Sequence, residues 1–281
     1  MHLWAAHRSR AEELRGRYPF AAEVLGCYLA LVDVWEAAEV PPSPDGLSAW
    51  AAERMVPGVV KATEAAGPEA LAAAVREVSD VEGALAGWLA GAELPPVERY
   101  LARAALAAPL AALGEEAGAA CAEARLLASA SLVPRSDVGS GDPSPPDQRH
   151  CPRCGGPPQL SVREDGQDHL VRGRRELACA RCAQRWAYSS SACPSCGETS
   201  GGKRTVYSET HAGPIVEDKN AATFPHLRVD ACAACERYLI DIDLGRDTRA
   251  VPEVDELVAL PLDLYAADQG LSKITPNLMG Y

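Results

Sequence analysis

Four CxxC pairs in the C-terminal half constrain the fold of this chain more than any other feature of its sequence. They use eight of its ten cysteines: Cys151 with Cys154, Cys179 with Cys182, Cys193 with Cys196, and Cys232 with Cys235. Two residues between cysteines allow a tight turn, here called a knuckle, to direct both sulfurs at one metal ion. Two knuckles complete a tetrahedron with metal–sulfur bonds of about 2.3 Å. The sequence therefore predicts two metal sites, each with four thiolate ligands.

The spacing of the pairs favours sequential pairing. The first two pairs are 24 residues apart and the last two are 35 apart, which leaves room for a strand hairpin, whereas only 10 residues separate Cys182 from Cys193. Site 1 then consists of Cys151, Cys154, Cys179 and Cys182, and site 2 of Cys193, Cys196, Cys232 and Cys235. Gly155 follows one knuckle of site 1, and Gly197 follows one knuckle of site 2. Glycine at these positions permits a positive φ that turns backbone N–H groups toward sulfur. Interleaved pairing of the first knuckle with the third remains open.

Nearby cations are needed to hold such a site, because four thiolates around a divalent ion leave a local charge of about −2. A basic segment surrounds the second pair: Arg172, Arg174, Arg175, Arg181 and Arg185. We expect these arginines to offset the charge of site 1 rather than to bind nucleic acid. His150, next to Cys151, is the histidine placed to act as an alternative ligand.

The N-terminal half has a different pattern. Residues 1–132 are rich in Ala, Leu, Glu and Arg, and apolar side chains recur at helical spacing, as in Phe20, Val24, Tyr28 and Leu31. Prolines fall at the seams between these patterns, where a missing backbone N–H is tolerated. The pattern predicts an all-helical bundle of about six helices.

Composition changes abruptly after the helical half. Residues 133–149 consist largely of Pro, Gly, Ser and Asp, and we predict a linker. Short β-favouring runs at 185–188, 205–208 and 238–244 predict small antiparallel ribbons. A helical pattern returns at 254–268, where Pro261 is expected to kink or split the helix. The predicted domains are a helical bundle over residues 1–132, a first four-cysteine module over 150–192, and a second one with a C-terminal helix and tail over 193–281.

Overall charge argues against a nucleic-acid partner. The formal net charge is −12 and the pI is near 5.0, whereas binding to a phosphate backbone depends on clustered Lys and Arg. No run of about 18 uncharged apolar residues occurs, and the first dozen residues lack the apolar core of an export signal. Unexported cysteines belong to a reducing compartment, where they serve metals or redox chemistry. We therefore expect a cytoplasmic protein without direct membrane insertion.

No catalytic motif accompanies the cysteines. The sequence contains no nucleophile elbow, phosphate-cradling glycine loop or HExxH motif. A metal held by four protein ligands also has no open coordination position for a substrate. We expect a protein that is not an enzyme and has no small-molecule substrate. Cys27 and Cys121 lie within helical patterns and are expected to be buried thiols without chemistry.

The order of the motifs is specific enough to indicate a family. The motifs are Cys151-Pro-Arg-Cys154-Gly-Gly-Pro, Leu177-Ala-Cys179-Ala-Arg-Cys182-Ala-Gln-Arg-Trp186, Cys193-Pro-Ser-Cys196 and Cys232-Ala-Ala-Cys235-Glu-Arg-Tyr238-Leu. They are followed by Val254-Asp255-Glu256-Leu257, Leu262-Asp263-Leu264 and a tail that contains Asn277. Over residues 150–281 the chain resembles the FdhE family of formate dehydrogenase accessory proteins.

This resemblance implies a cytoplasmic assembly protein that binds the catalytic subunit of a respiratory formate dehydrogenase. It implies an N-terminal all-helical domain followed by two rubredoxin-like or zinc-ribbon-like four-cysteine modules, with iron held by the eight paired cysteines. Zinc stays an alternative, because four thiolates in a tetrahedron suit both ions. Two other functions also stay open: a zinc-ribbon protein that binds nucleic acid through its basic segment, and a rubredoxin-like electron carrier.

Overall fold

The computed structural model describes residues 2–130, 148–164, 174–209 and 223–281. Most of the predicted linker, residues 133–147, lies outside these ranges, as does Arg172. Within the described ranges, no helix combines the length and apolar character needed to cross a membrane.

Eight α-helices fill residues 2–130. They are α1 (His2–Arg17), α2 (Ala22–Glu36), α3 (Leu47–Arg54), α4 (Val56–Ala66), α5 (Glu69–Arg76), α6 (Val81–Ala90), α7 (Pro96–Leu113) and α8 (Ala117–Ala130). The all-helical prediction is confirmed, but the predicted number of helices was too low. Met55 alone separates α3 from α4, and Gly67 and Pro68 separate α4 from α5. Breaks this short hardly disturb the apolar periodicity, so the sequence pattern merges neighbouring helices.

Helix α7 lies at the centre of the helical layer. Every residue from Leu101 to Leu106 is buried, and the run contains three alanines, which allow neighbouring helices to approach closely. Its one charged member, Arg103, donates a hydrogen bond of 2.6 Å to the carbonyl oxygen of Pro276 in the C-terminal tail. The central helix therefore contacts the C-terminal half of the chain directly.

The described residues after 147 form a seven-stranded sheet and two helices. The strands are β1 (Pro158–Arg163), β2 (Arg175–Cys179), β3 (Arg185–Ala187), β4 (Arg204–Tyr207), β5 (Leu227–Cys232), β6 (Arg237–Asp243) and β7 (Ser272–Lys273). The three predicted β runs correspond to β3, β4 and β6. The helices are α9 (Pro252–Asp255) and α10 (Leu260–Asp268), and the break between them confirms the predicted split near Pro261.

Strand order shows that the two four-cysteine modules share one sheet. The order is β3-β2-β1-β6-β5-β4, and β7 lies off this path, paired in parallel with the start of β6 at Arg237 and Tyr238. Strands β1 and β6 run parallel, with Leu160 opposite Ile240 and Val162 opposite Ile242. The prediction of small antiparallel ribbons was therefore incomplete. A parallel pair between strands so far apart in the chain leaves no periodicity signal, since each strand's pattern is the same whichever partner it has.

A buried ion-pair network joins the helical layer to the sheet. Arg10 on α1 contacts both carboxylate oxygens of Asp255 on α9, with an Nε–Oδ2 distance of 3.0 Å. His226 reaches the same carboxylate at 2.7 Å, and all three side chains are buried. Removing one partner of a buried pair leaves an uncompensated charge and costs about 3–5 kcal/mol. The motif Val254-Asp255-Glu256-Leu257 thus contains a residue that attaches the sheet to the helical layer.

Candidate metal centres

The structure brings the paired cysteines together as two sets of four, and within each set all sulfurs lie within 4.8 Å of one another. In site 1 the Sγ–Sγ distances are 3.7 Å from Cys151 to Cys182 and 3.4 Å from Cys154 to Cys179. In site 2 the corresponding distances, Cys193 to Cys235 and Cys196 to Cys232, are both 3.8 Å. A tetrahedron with metal–sulfur bonds of about 2.3 Å has edges of about 3.8 Å. Each set could therefore hold a tetrahedral metal ion.

The grouping is sequential, with the first knuckle facing the second and the third facing the fourth. It does not include His150, which is exposed beside site 1. Each set joins a knuckle in the loop before a strand to one between two paired strands, since Cys179 ends β2 and Cys232 ends β5. The antiparallel hairpin β2–β3 thus holds the second knuckle of site 1, and the antiparallel hairpin β5–β6 holds the second knuckle of site 2.

All four knuckles have the same backbone conformation. The residue after each second cysteine donates its N–H to the carbonyl oxygen of the first cysteine and has a positive φ: Gly155 (67°), Ala183 (55°), Gly197 (79°) and Glu236 (55°). The glycine pattern identified only two of these positions. Residues with a side chain also adopt this conformation, at a cost of about 1–2 kcal/mol. Backbone N–H groups of Arg181 and Ser195 approach the sulfurs of Cys179 and Cys193 at 3.3 and 3.4 Å.

Gly156 allows the backbone to pass close to site 1. A Cβ atom at this position would lie 2.8 Å from Cys179 Sγ and 3.2 Å from Cys154 Sγ, so a side chain would collide with two of the four sulfurs. The equivalent position in site 2 is Glu198, two residues after Cys196. Sequence reasoning missed this requirement, although the doubled glycine after Cys154 was the available signal.

Site 1 lies beneath the helical layer. Its four cysteines are at most 6 % exposed. Arg125 on α8 donates to the carbonyl oxygen of Cys154 at 2.8 Å. The buried thiol of Cys121, also on α8, lies next to Cys154. Together with the other three site 1 thiols, Cys121, whose effect is the largest, holds the pKa of Cys154 well below its ordinary value.

Cys121 is buried as predicted, but its contact with a candidate ligand was not foreseen. Sequence places it 33 residues before Cys154, in a helix whose pattern gives no indication of which surface it packs against. A fifth sulfur therefore borders site 1 without belonging to the four-thiol set.

The predicted arginine cluster divides into different roles. Arg181 donates to the carbonyl oxygen of Cys154 at 3.2 Å and lies over the ring of Trp88, as expected for a cation that offsets site 1. Arg175 does not fit that hypothesis, because it is buried and pairs with Asp230 on β5 at 2.5 Å. This ion pair joins the two halves of the sheet. Arg174 is exposed, and Arg185 is half-buried beside a cavity between the helical layer and site 1.

Site 2 lies in a more open environment. Cys193 and Cys232 are each 1 % exposed, whereas Cys196 is exposed and Cys235 is partly exposed. Contacts to its first knuckle come from loop residues: Arg149 donates to Ser195 O at 3.0 Å, and the hydroxyl of Tyr188 donates to Cys193 O at 2.9 Å. One side of the candidate metal position therefore faces solvent.

Residues 192–279, which contain all of site 2, match the family model described as FdhE, C-terminal domain. Over these residues the chain is similar to the C-terminal domain of FdhE. The chain is 31 % identical over 139 residues to the FdhE homolog of Aquifex aeolicus. This alignment covers 48 % of this chain and 42 % of that protein. It is 32 % identical over 130 residues to the FdhE homolog of Pseudomonas aeruginosa, covering 46 % and 38 %. The resemblance predicted from the cysteine motifs is confirmed.

The matched segments cover about two-fifths of the length of these curated relatives. A longer correspondence comes from the crystal structure of the FdhE protein from Pseudomonas aeruginosa. It matches 99 % of this chain and 95 % of that chain, with a TM-score of 0.63 and 23 % sequence identity. The helical layer and the sheet therefore have the fold of a known FdhE structure.

Proposed function

We propose that this chain is a non-enzymatic assembly protein for a respiratory formate dehydrogenase, and that it acts in the cytoplasm by binding the catalytic subunit of that enzyme. The observation that carries this proposal is the presence of two closed four-thiol sets in a chain similar over residues 192–279 to the C-terminal domain of FdhE. Four protein ligands leave a bound ion no open position for a substrate, which supports a binding role rather than a catalytic one.

Co-purification tests the partner. The tagged chain is co-expressed with the catalytic subunit of a formate dehydrogenase from the same source, and the complex is analysed by size-exclusion chromatography with light scattering. We expect a stable complex with the subunit before cofactor insertion and weaker binding to the mature enzyme, which serves as the control. Absence of any complex would contradict the proposal.

We also propose that each four-thiol set binds one iron ion as in rubredoxin, with zinc as the alternative metal. Iron bound this way supplies one-electron redox chemistry, whereas zinc supplies only structure. Elemental analysis of protein purified without oxygen should give two metal equivalents per chain. Red colour after exposure to air indicates ferric tetrathiolate, and colourless protein with two zinc equivalents indicates the alternative.

An electron carrier is a second candidate, because exposed Cys196 brings site 2 close to solvent. A reversible redox couple in voltammetry of the iron-loaded protein would favour it, whereas a silent trace would argue against it. The nucleic-acid alternative has less support. Arg175 and Arg181, at the centre of the basic segment, are buried and already paired with protein groups.

For domain organisation we propose a helical unit over residues 1–132, a linker over 133–149, and four-cysteine modules over 150–192 and 193–281. Proteolytic cleavage within the linker should give two fragments that remain associated, since Arg10, Asp255 and His226 join them. Separation of the fragments under native conditions would contradict this arrangement.

A further inference from the structure

A cavity of about 570 Å³ lies between the helical layer and site 1. Helices α1 and α7 form two of its walls, through residues such as Trp4 and Leu110. The second knuckle of site 1, with Cys179 and Cys182, forms the third wall, and residues 250–253 form the fourth. This interdomain cavity is within the range of about 300–1,000 Å³ that is typical of ligand sites.

Its floor is apolar and aromatic. Trp4 packs against Trp35 with ring centroids 4.8 Å apart, and Leu110 and Ala107 continue the surface along α7. One ring nitrogen of His7 is paired within the protein, because Nδ1 lies 2.7 Å from the hydroxyl of Tyr28. This part of the cavity therefore suits an apolar or aromatic side chain.

Its rim is basic, in a chain whose net charge is −12. Four arginines line the cavity, Arg103, Arg153, Arg181 and Arg185, and Glu253 is the one acidic residue of its lining in the described part of the chain. Arg103 and Arg181 donate to backbone carbonyl oxygens of Pro276 and Cys154. The hydrogen-bonding capacity of these two guanidinium groups is thus partly satisfied within the protein. Nε of Arg181, however, is buried without a partner in the described part of the chain.

Arg153 and Arg185 are different. Both are half-buried at the rim, and among the described residues neither side chain has a hydrogen-bond or ion-pair partner. A partly desolvated guanidinium without a counter-charge is unfavourable, and a carboxylate placed beside it gains a charge-assisted, often bidentate, interaction. The rim is therefore complementary to anionic groups that flank an apolar one.

We propose that the interdomain cavity binds a short acidic segment of the protein partner, with an apolar side chain against Trp4 and carboxylates paired with Arg153 and Arg185. The inference rests on the proposed function, in which the chain binds a client subunit, and it assigns that binding a place and a chemistry. A segment bound in this cavity contacts the second knuckle of site 1. The cavity and site 1 therefore have Cys179 and Cys182 in common.

Fluorescence anisotropy with two labelled peptides tests the chemistry: Asp-Leu-Phe-Glu, and Lys-Leu-Phe-Lys as its charge-reversed counterpart. The wild-type chain should bind the acidic peptide and not the basic one. The double variant Arg153→Glu with Arg185→Glu should weaken binding by about tenfold or more, because two attractive charge pairs become repulsive. Arg54→Glu is the matched control, since Arg54 is an exposed arginine on α3 outside the cavity, and it should bind as wild type does.

A second variant addresses the apolar floor without changing charge or approaching a knuckle. Ala107→Trp on α7 should occupy the floor and reduce binding of the acidic peptide by a similar factor, with circular dichroism and metal content unchanged. Equal peptide binding by wild type, Arg153→Glu/Arg185→Glu and Ala107→Trp would overturn the assignment. Displacement of the peptide by inorganic phosphate or ATP at lower concentration would overturn it in favour of a small anionic ligand.

Co-purification separates this inference from the proposed function. Failure of the wild-type chain to bind the catalytic subunit contradicts the proposed function. Equal binding of that subunit by the wild-type chain and by the Arg153→Glu/Arg185→Glu variant contradicts the cavity assignment and leaves the proposed function standing. Loss of subunit binding in the double variant alone, with Arg54→Glu unaffected, supports both.

Discussion

Sites 1 and 2 each bring four cysteines together in the same knuckle conformation, but their surroundings are opposite. Site 1 is buried beneath α8, where Arg125 donates a hydrogen bond to the carbonyl oxygen of Cys154 and the thiol of Cys121 lies beside it. Site 2 exposes Cys196 at the surface. The CxxC spacing therefore determines the backbone geometry of each four-cysteine site, whereas the surrounding packing determines how far the site is exposed to solvent. We infer that site 1 is part of the folded core and that site 2 is accessible to exchange.

The largest difference is expected from removal of one ligand in each site. Cys154→Ser should lower the free energy of unfolding by about 5 kcal/mol, because metal binding contributes to folding and the change leaves a buried, imperfectly paired hydroxyl. Cys196→Ser, at an exposed position, should cost less than about 2 kcal/mol. Urea denaturation followed by circular dichroism measures both. Equal costs would mean that the two sites contribute equally to the fold.

Loosening the helical cover should affect site 1 alone. Asp255→Asn weakens the buried contact with Arg10 and should cost about 3–5 kcal/mol. It should also accelerate metal loss from site 1 while leaving site 2 unchanged. Arg8→Ala on the same helix is the control, since Arg8 forms partly exposed pairs with Asp33 and Glu36 that are worth less than about 1 kcal/mol. Chelator-induced metal release reports the two sites separately, and faster release from both would contradict the prediction.

Gly156 offers a way to disturb site 1 without removing a ligand. Gly156→Ala should reduce stability by about 2–3 kcal/mol and weaken one of the two metal sites, because the new Cβ collides with Cys179 Sγ. Glu198→Ala, at the equivalent position of site 2, should leave stability nearly unchanged, because it removes a partly exposed side chain and adds no atom near the sulfurs. Metal titration with a competing chelator measures the affinities. Two unaffected sites in Gly156→Ala would show that the backbone can move away from the sulfurs.

The smallest expected effect concerns the knuckles that lack glycine. Ala183→Gly in site 1 and Glu236→Gly in site 2 should each raise stability by about 0.5–1 kcal/mol, since both residues are exposed and have φ of 55°. Gly155→Ala should lower stability by a similar amount, because alanine is strained at a φ of 67°. The loss should stay small, since the new Cβ would meet only Arg125 at 3.7 Å. Thermal unfolding resolves these changes. Destabilisation by both glycine substitutions would show that the side chains contribute more than the strain they impose.

Sequence reasoning succeeded where the signal is local. Spacing of cysteines indicated the knuckles, apolar periodicity indicated the helices, and Pro261 indicated the break before α10. It failed where the information is tertiary. The pairing of β1 with β6, the contact of Cys121 with Cys154 and the ion pair of Arg175 with Asp230 join segments that are distant in the chain. No local pattern distinguishes an arginine that offsets a metal site from one that joins two strands.

Native mass spectrometry of protein purified without oxygen tests the central claim most directly, before and during exposure to a chelator and an alkylating reagent. We expect two metal ions per chain, release of one before the other, and alkylation of Cys196 and Cys235 while the thiols of site 1 remain protected. One ion or none in the starting material, or simultaneous loss of both ions with alkylation of all eight cysteines together, would contradict a buried and an exposed metal site in one sheet.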